Sequence, residues 1–279
     1  MNHTTTNFDH LKLFLFTTDI SLAKQAEQVG VDCIIVDWEQ SGKRKRQISY
    51  STEINSDTPE DVAALAEVLT IPITVRINPL DKNTAQEIQI ALDSGAQIIM
   101  LPMAKNPREV EKFISLVNGR AETLVQIETQ TLVEQCHELR ELDWNYAYIG
   151  LNDLMISRQK TWIWDLLEDG TVEQIFQVLE NRQVGFGGVT RISGGKPVPF
   201  LELLHEMARL NCRLSVLRRT FKSEMVGRDL QAEIQAIRAA WVAARLRSRE
   251  AVLQDRIAFF ERLRARKKML QLGNSIPEK

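Results

Sequence analysis

Two acidic residues stand where short apolar runs stop. Glu128 closes TLVQIET (Thr123–Thr129), and Asp153 follows the run that opens YAYIGLNDL (Tyr146–Leu154). Leu124, Val125 and Ile127, then Tyr146, Tyr148 and Ile149, are strand formers in runs too short for helices. An amphipathic segment, Gln130–Leu142, separates them, which reads as a strand–helix–strand unit with parallel strands. Both carboxyl ends then lie on one face of the sheet. Two carboxylates delivered there, about 25 positions apart, suit a hard divalent cation such as Mg²⁺ or Mn²⁺, which takes oxygen ligands. The same residues also fit ordinary strand-end acids in solvated loops, and spacing alone does not separate the two.

The elements that must position this pair follow from the rest of the chain. At 279 residues it has room for one large α/β barrel or two smaller domains. A formal net charge of −2 argues against bulk electrostatic binding of nucleic acid. Cys33, Cys136 and Cys212 are far apart and lack zinc spacing, so they read as small apolar fillers in a reducing compartment. No apolar run reaches the length of a membrane span, and MNHTTTNFDH has no signal-peptide core. A cytoplasmic protein without membrane or nucleic-acid partners is expected.

Taken in order, the chain predicts strands at Leu11–Phe16, Cys33–Glu39, Ile73–Asn78 and Ile98–Met103. After the opening pair come two more, at Val184–Thr190 and Cys212–Arg219. Helices are predicted at Ile20–Val29, from Thr58 to about Leu69, at Thr84–Ser94, from about Pro107, across Trp162–Asn181 with an interruption at Gly170, and at Pro199–Leu210. Roughly eight β-then-α units point to a (β/α)₈ TIM barrel over 11–222. A doubly wound open sheet is the alternative, but no GxGxxG follows the first strand. The GKRKRQ run in 42–47 is read as solvated loop or anion site. Residues 1–10 and 273–279 are expected to be flexible termini.

The C-terminal extension, 223–272, predicts one or more long helices with apolar residues at Leu230, Ile234, Ile237, Trp241, Leu253, Ile257, Phe260 and Leu263. Twelve Lys and Arg stand against six Asp and Glu from Met225 onward. The segment either packs on its own barrel or reaches a neighbouring subunit. Sparse aromatic–basic interleaving ranks a membrane or nucleic-acid role lower.

A barrel places its chemistry at the carboxyl ends of its strands. Those ends carry Asp37 and Glu39, Arg76, Pro102 and Met103, Glu128, Asp153, Thr190 and Arg191, then Arg218 and Arg219. Acids for a metal and arginines for an anion fit a substrate that chelates the metal and carries a carboxylate or phosphate. Strand alternation allows at most one of Arg218 and Arg219 to face inward. The loop Ser193-Gly194-Gly195-Lys196 is a weak phosphate-loop signal.

Five stretches, GVDCIIVDWE (Gly30–Glu39), VRIN (Val75–Asn78), LDSGAQIIMLPM (Leu92–Met103), QIET (Gln126–Thr129) and GLNDL (Gly150–Leu154), together resemble the HpcH/HpaI aldolase and citrate lyase beta-subunit family of phosphoenolpyruvate/pyruvate-binding barrels. The resemblance spans about residues 11–220. It implies a (β/α)₈ barrel with a divalent metal held at Glu128 and Asp153. It places Arg76 against a bound 2-oxo acid and its enolate, and gives the last helix a part in a homo-oligomer.

The departures are specific. Gln40 stands where the aldolase branch of that family has a histidine that assists proton transfer, and glutamine is no general acid or base near neutral pH. Leu151 stands where the family often has proline. His3, His10, His137 and His205 fall at no predicted strand end. Proton transfer then falls to Glu39, Asp37 or water at the metal, unless those two acids only orient waters or Lys43 and Arg44. The expected function is a Mg²⁺- or Mn²⁺-dependent carbon–carbon lyase or aldolase acting on a 2-oxo acid or related acyl thioester. Arg76, Pro102, Met103, Gln40, Arg218 and Arg219 would contact the substrate. The alternatives are a metal- and acid-binding partner or regulatory subunit, or another enolate reaction such as thioester hydrolysis.

Overall fold

The computed structural model describes residues 10–40 and 57–273. The basic run with Lys43 and Arg44 lies outside them, as do the chain ends at 1–9 and 274–279.

Eight strands form one sheet: β1 (Lys12–Phe16), β2 (Cys33–Asp37), β3 (Ile73–Arg76), β4 (Ile98–Leu101), β5 (Glu122–Ile127), β6 (Tyr146–Ile149), β7 (Gln183–Phe186) and β8 (Leu214–Leu217). Their order is β7-β6-β5-β4-β3-β2-β1-β8, with parallel pairing throughout. The ring closes between β7 and β8 through backbone bonds: Arg213 N–H to Val184 O (2.9 Å), Val189 N–H to Val216 O (2.8 Å) and Arg218 N–H to Val189 O (2.8 Å). This is the expected (β/α)₈ barrel. Most strands are shorter than their apolar runs suggested: β8, for example, spans Leu214–Leu217 within the run Cys212–Arg219.

The helices are α1 (Ile20–Gln28), α2 (Pro59–Ala66), α3 (Thr84–Asp93), α4 (Pro107–Val117), α5 (Gln130–Glu134), α6 (Leu151–Ser157), α7 (Asp165–Glu168), α8 (Thr171–Val178), α9 (Phe200–Arg209), α10 (Arg219–Glu224), α11 (Leu230–Arg245) and α12 (Arg249–Gly273). Their starts follow local chemistry. Thr58 and Asp61 form a capping box ahead of α2 with Pro59 in its first turn, and Asn106 caps α4. The segment 130–142 is not one helix. After α5 the chain tightens into a 3₁₀ turn over Cys136–Glu141.

Alternation along the strands makes two apolar layers. Ile34, Val36, Val75, Leu101, Val125 and Ile127 face the helices, whereas Phe14, Ile35, Met100, Leu124, Tyr146 and Val216 fill the barrel. The same parity turns Asp37, Arg76, Gln126 and Tyr148 inward, one layer above the apolar plug. Gly185 is required by closure, since a Cβ there would stand 1.9 Å from the Leu214 carbonyl oxygen.

The C-terminal helices pack on their own barrel. Ile234, Ile237 and Trp241 of α11 and Phe259 and Leu263 of α12 are buried. Basic side chains of α12 pair back to the barrel: Arg256 with Glu173, Arg264 with Glu168 (2.6 Å) and Lys267 with Asp165 (2.5 Å). Leu246, Leu253 and Ile257 remain exposed at 80%, 58% and 53%. Among the described residues no helix is long and apolar enough to cross a membrane.

Replacing Gly185 with alanine drives a methyl group into backbone rather than into a movable side chain. Gly185→Ala should lower stability by about 3 kcal/mol in urea unfolding. An unchanged midpoint would contradict the close β7–β8 approach.

Candidate active site

The mouth of the barrel is organised by a buried fork. Arg76, the last residue of β3, is in register with Asp37, the last residue of β2. Its Nε donates to Asp37 Oδ1 at 2.8 Å and its Nη2 to Asp37 Oδ2 at 2.7 Å. Asp37 is fully buried and Arg76 nearly so. Burial works against the guanidinium's charge, and Asp37, Glu39 and Glu128 more than restore it, so Arg76 stays ionised. Its ring-facing side lies 5.0 Å from the Phe16 centroid. Nη1 is the nitrogen left to the interior, with longer contacts at 3.4 Å to Glu39 Oε2 and 3.5 Å to Gln126 Oε1.

Gln126 links this cation to the central acid. Its Nε2 donates to Glu128 Oε2 at 3.1 Å. The Met103 N–H donates to Glu128 Oε1 at 2.8 Å. To aim that N–H, Met103 holds φ at 56°, a left-handed conformation uncommon for a non-glycine residue. Gly150 completes the seat, because a Cβ there would meet Glu128 Oε2 at 2.2 Å. Burial, then the charges of Asp153 and Glu39, push the Glu128 carboxyl well above the ordinary carboxylate range, and Arg76 only partly opposes them. A buried carboxyl pressed by two neighbouring acids is a site where a cation relieves the crowding. The donor chemistry fits a hard divalent ion. Among the described residues no three His, Cys, Asp or Glu side chains group as a closed metal cluster. A two-carboxylate set is the kind that leaves coordination positions for substrate and water oxygens.

Sequence expectations fare unevenly in their detail. Asp153 is not on a strand-end loop but in the first turn of α6, which starts directly after β6 and Gly150. It still lies close enough to act on Glu128. Asp37 has both oxygens in the Arg76 fork, a geometry that positions the guanidinium. Glu39 is 2% exposed and faces Arg76 Nη1. Gln40 is exposed at the rim, with its N–H donating to Asn78 Oδ1 at 3.0 Å. Pro102 is buried beside Met103. The alternation expected of Arg218 and Arg219 does not apply, because β8 ends at Leu217 and Arg219 opens α10. Arg219 Nη2 reaches Asp37 Oδ2 at 3.5 Å, while the Arg218 stem covers Gly188. Thr190 is buried, and its Oγ1 donates to the Arg191 carbonyl at 3.2 Å. In the Ser193–Lys196 loop, the Gly194 N–H is used by the Arg191 carbonyl at 2.8 Å, so the turn closes on itself. His10 pairs with Asp32, His205 lies 3.4 Å from Asp255, and His137 sits in the 3₁₀ turn, none of them in these contacts.

Three mouth residues escape sequence reasoning. Gln126 reads as strand filler until alternation from Leu124 to Glu128 turns it inward. Tyr148 points the same way, its hydroxyl donating to the Gly187 carbonyl. Burial, first of all, pushes its hydroxyl up. Asp57 accepts the Asp37 N–H at 2.9 Å, and burial raises its carboxyl. No local pattern marks it.

Residues 10–168, more than half of the chain, match the family model for HpcH/HpaI aldolase/citrate lyase. Among solved structures, an HpcH/HpaI aldolase from Desulfitobacterium hafniense DCB-2 superposes with a TM-score of 0.58 at 13% identity, covering 78% of this chain and 92% of that one. Citrate synthase SbnG gives 0.58 at 17%, covering 82% and 96%. RipC from Yersinia pestis gives 0.55 at 13%, covering 84% and 96%. At these identities the likeness concerns the fold. No curated protein matches the sequence.

Two outcomes follow from the geometry. Asp37→Asn removes the buried guanidinium's two-pronged ionic partner and should cost about 3 kcal/mol in denaturant unfolding. A loss below about 1 kcal/mol would contradict the fork as the anchor of the mouth. The second concerns pH. A carboxyl whose native pKa is raised binds its proton longer in the folded state. Its stabilising contribution is full below the unfolded value and is lost as pH rises through the native one. Glu128→Gln should therefore flatten the decline in metal-free stability between the ordinary carboxylate range and the raised Glu128 titration. Parallel curves for parent and variant would contradict the charge crowding.

Proposed function

Because the chain belongs to the HpcH/HpaI aldolase/citrate lyase family, we propose that it is a divalent-metal-dependent carbon–carbon lyase or aldolase acting on a 2-oxo acid or related acyl thioester. The observation that carries the reading is the crowding of Asp153 and Glu39 on the buried Glu128 carboxyl beside a fixed arginine. Glu128 and Asp153 would hold Mg²⁺ or Mn²⁺, which when bound acts as a Lewis acid on the substrate's carboxylate and carbonyl oxygens.

The chain's own groups divide the remaining work. Cleavage needs a base for the hydroxyl proton, a sink for the electron pair of the breaking carbon–carbon bond, and an acid that returns a proton to carbon. Arg76 Nη1 shares the negative charge that develops on the substrate oxygen. Asp37 keeps that guanidinium rigid. Glu39, through Oε2 beside Nη1, is the group assigned to take and return the proton. Gln40 cannot do so. Arg219 and Arg218 supply positive charge for the distal end of an anionic substrate. An exposed Gln40 also suits a second reading, a barrel that binds metal and a small acid as a partner subunit without aldol chemistry.

The exposed stripe Leu246, Leu253 and Ile257 supports a homo-oligomer in which it is covered. Light scattering should show at least a dimer, and Leu253→Glu with Ile257→Glu should dissociate it. A parent chain monomeric at micromolar concentration would sink the idea.

The metal reading is tested by calorimetric Mn²⁺ titration in the presence of a 2-oxo acid. Glu128→Gln and Asp153→Asn should each remove most of the affinity while folding survives, and parent affinity should rise with pH because proton and cation compete for Glu128. Variants that bind like the parent would leave the pair as ordinary acids. Gln40→His should raise retro-aldol or oxaloacetate decarboxylation rates by up to ~10²-fold if a proton carrier is limiting. An unchanged rate would mean that Glu39 already meets the need.

A further inference from the structure

Between the outer face of the β1–β8 seam and helices α1 and α10, the barrel wall opens into a cavity of about 150 Å³. Its floor is apolar, formed by Leu15, Ala26, Leu217 and Phe221, all buried. Its rim carries Gln25, Lys222 and Arg228, and among the described residues none of the side chains lining it is acidic. Lys222 and Arg228 are both exposed to solvent.

These features specify a ligand. An apolar cavity of this volume holds a body the size of benzene. Two exposed cations at the opening favour an anion over a neutral molecule of the same shape. Gln25 adds an amide that can donate to a carboxylate oxygen. We propose that this cavity is a second binding site, for small monocarboxylates with an apolar body of about six carbons.

The position gives the site consequence. Phe221 and Lys222 of its wall belong to α10, and Arg219, the first residue of that helix, stands 3.5 Å from Asp37. Lys222 also acts electrostatically on Asp57, whose carboxylate accepts the Asp37 N–H. A ligand seated on Phe221 bears directly on the element that brings Arg219 to the mouth. Its binding is independent of the proposed lyase chemistry, so the two readings can fail separately.

The test is calorimetry on the full chain with phenylacetate, hexanoate and, as a neutral molecule carrying the same ring, benzyl alcohol. Both acids should bind the parent at low millimolar concentration or tighter. Arg228→Glu, a surface change, should weaken phenylacetate by about fivefold or more and leave benzyl alcohol within about twofold. Ala26→Leu, which fills the floor, should abolish binding of all three. Should that variant fail to fold, the Arg228→Glu comparison decides alone. Absence of phenylacetate binding to the parent would overturn the site. Equal binding of acid and alcohol would overturn its anion selectivity, and unchanged affinity in Arg228→Glu would place the ligand elsewhere.

Discussion

A two-pronged ion pair between Asp37 and Arg76, buried at the rim of the barrel, is the interaction on which the mouth depends. Neither charge is tolerable there alone, because the desolvation of each is repaid only by good geometry with the other. The geometry comes from the sheet. Parallel register puts the last residue of β2 opposite the last residue of β3, and strand parity turns both inward. Once fixed, the fork presents Nη1 to the interior and gives Gln126, Glu39 and Arg219 a rigid partner.

Around this fork the balance of charge tilts negative. Glu128 is seated by a Met103 N–H held in a left-handed backbone conformation, by the Gln126 amide and by the missing side chain of Gly150. These contacts fix the carboxylate without neutralising it, while Asp153 and Glu39 press on it. A pocket built to hold an acid in that state differs from an ordinary strand end, where acids turn to water. Backbone strain at Met103 and the tight approach at Gly150 belong to the same construction.

Much of the barrel was legible, because buried parallel strands read as apolar runs and the helix starts at Thr58 and Asn106 carry strong local signals. The acids at positions 39, 128 and 153 were legible for the same reason, standing where those runs stop. Their relations were not. Arg76 reads as a free anion binder, yet its fork is committed to Asp37, a pairing set by register between strands about 39 residues apart and invisible to any local pattern. Arg219 reads as strand and is helix, since β8 ends early where α10 turns in. Gln126 and Asp57 matter only through contacts made in three dimensions. The tail's stripe was read as a face for its own barrel or for a neighbouring subunit; Ile234, Ile237, Trp241 and Leu263 are buried within the chain, while Leu253 and Ile257 are exposed. The missing histidine at Gln40 was plain in the sequence, and the structure adds that Glu39, its neighbour, is a second acid facing Arg76, at Nη1.

The central claim is that Glu128 and Asp153 are a metal seat at which a 2-oxo acid meets Arg76. The most direct measurement is a crystal structure of the protein with Mn²⁺ and pyruvate, with the ion located by its anomalous scattering. The account predicts an anomalous peak within about 2.5 Å of carboxylate oxygens of both Glu128 and Asp153, with the pyruvate carboxylate and carbonyl on the same ion and Arg76 Nη1 against the carbonyl oxygen. Manganese bound elsewhere, or pyruvate bound at the mouth without contact to a metal at these two residues, would contradict it.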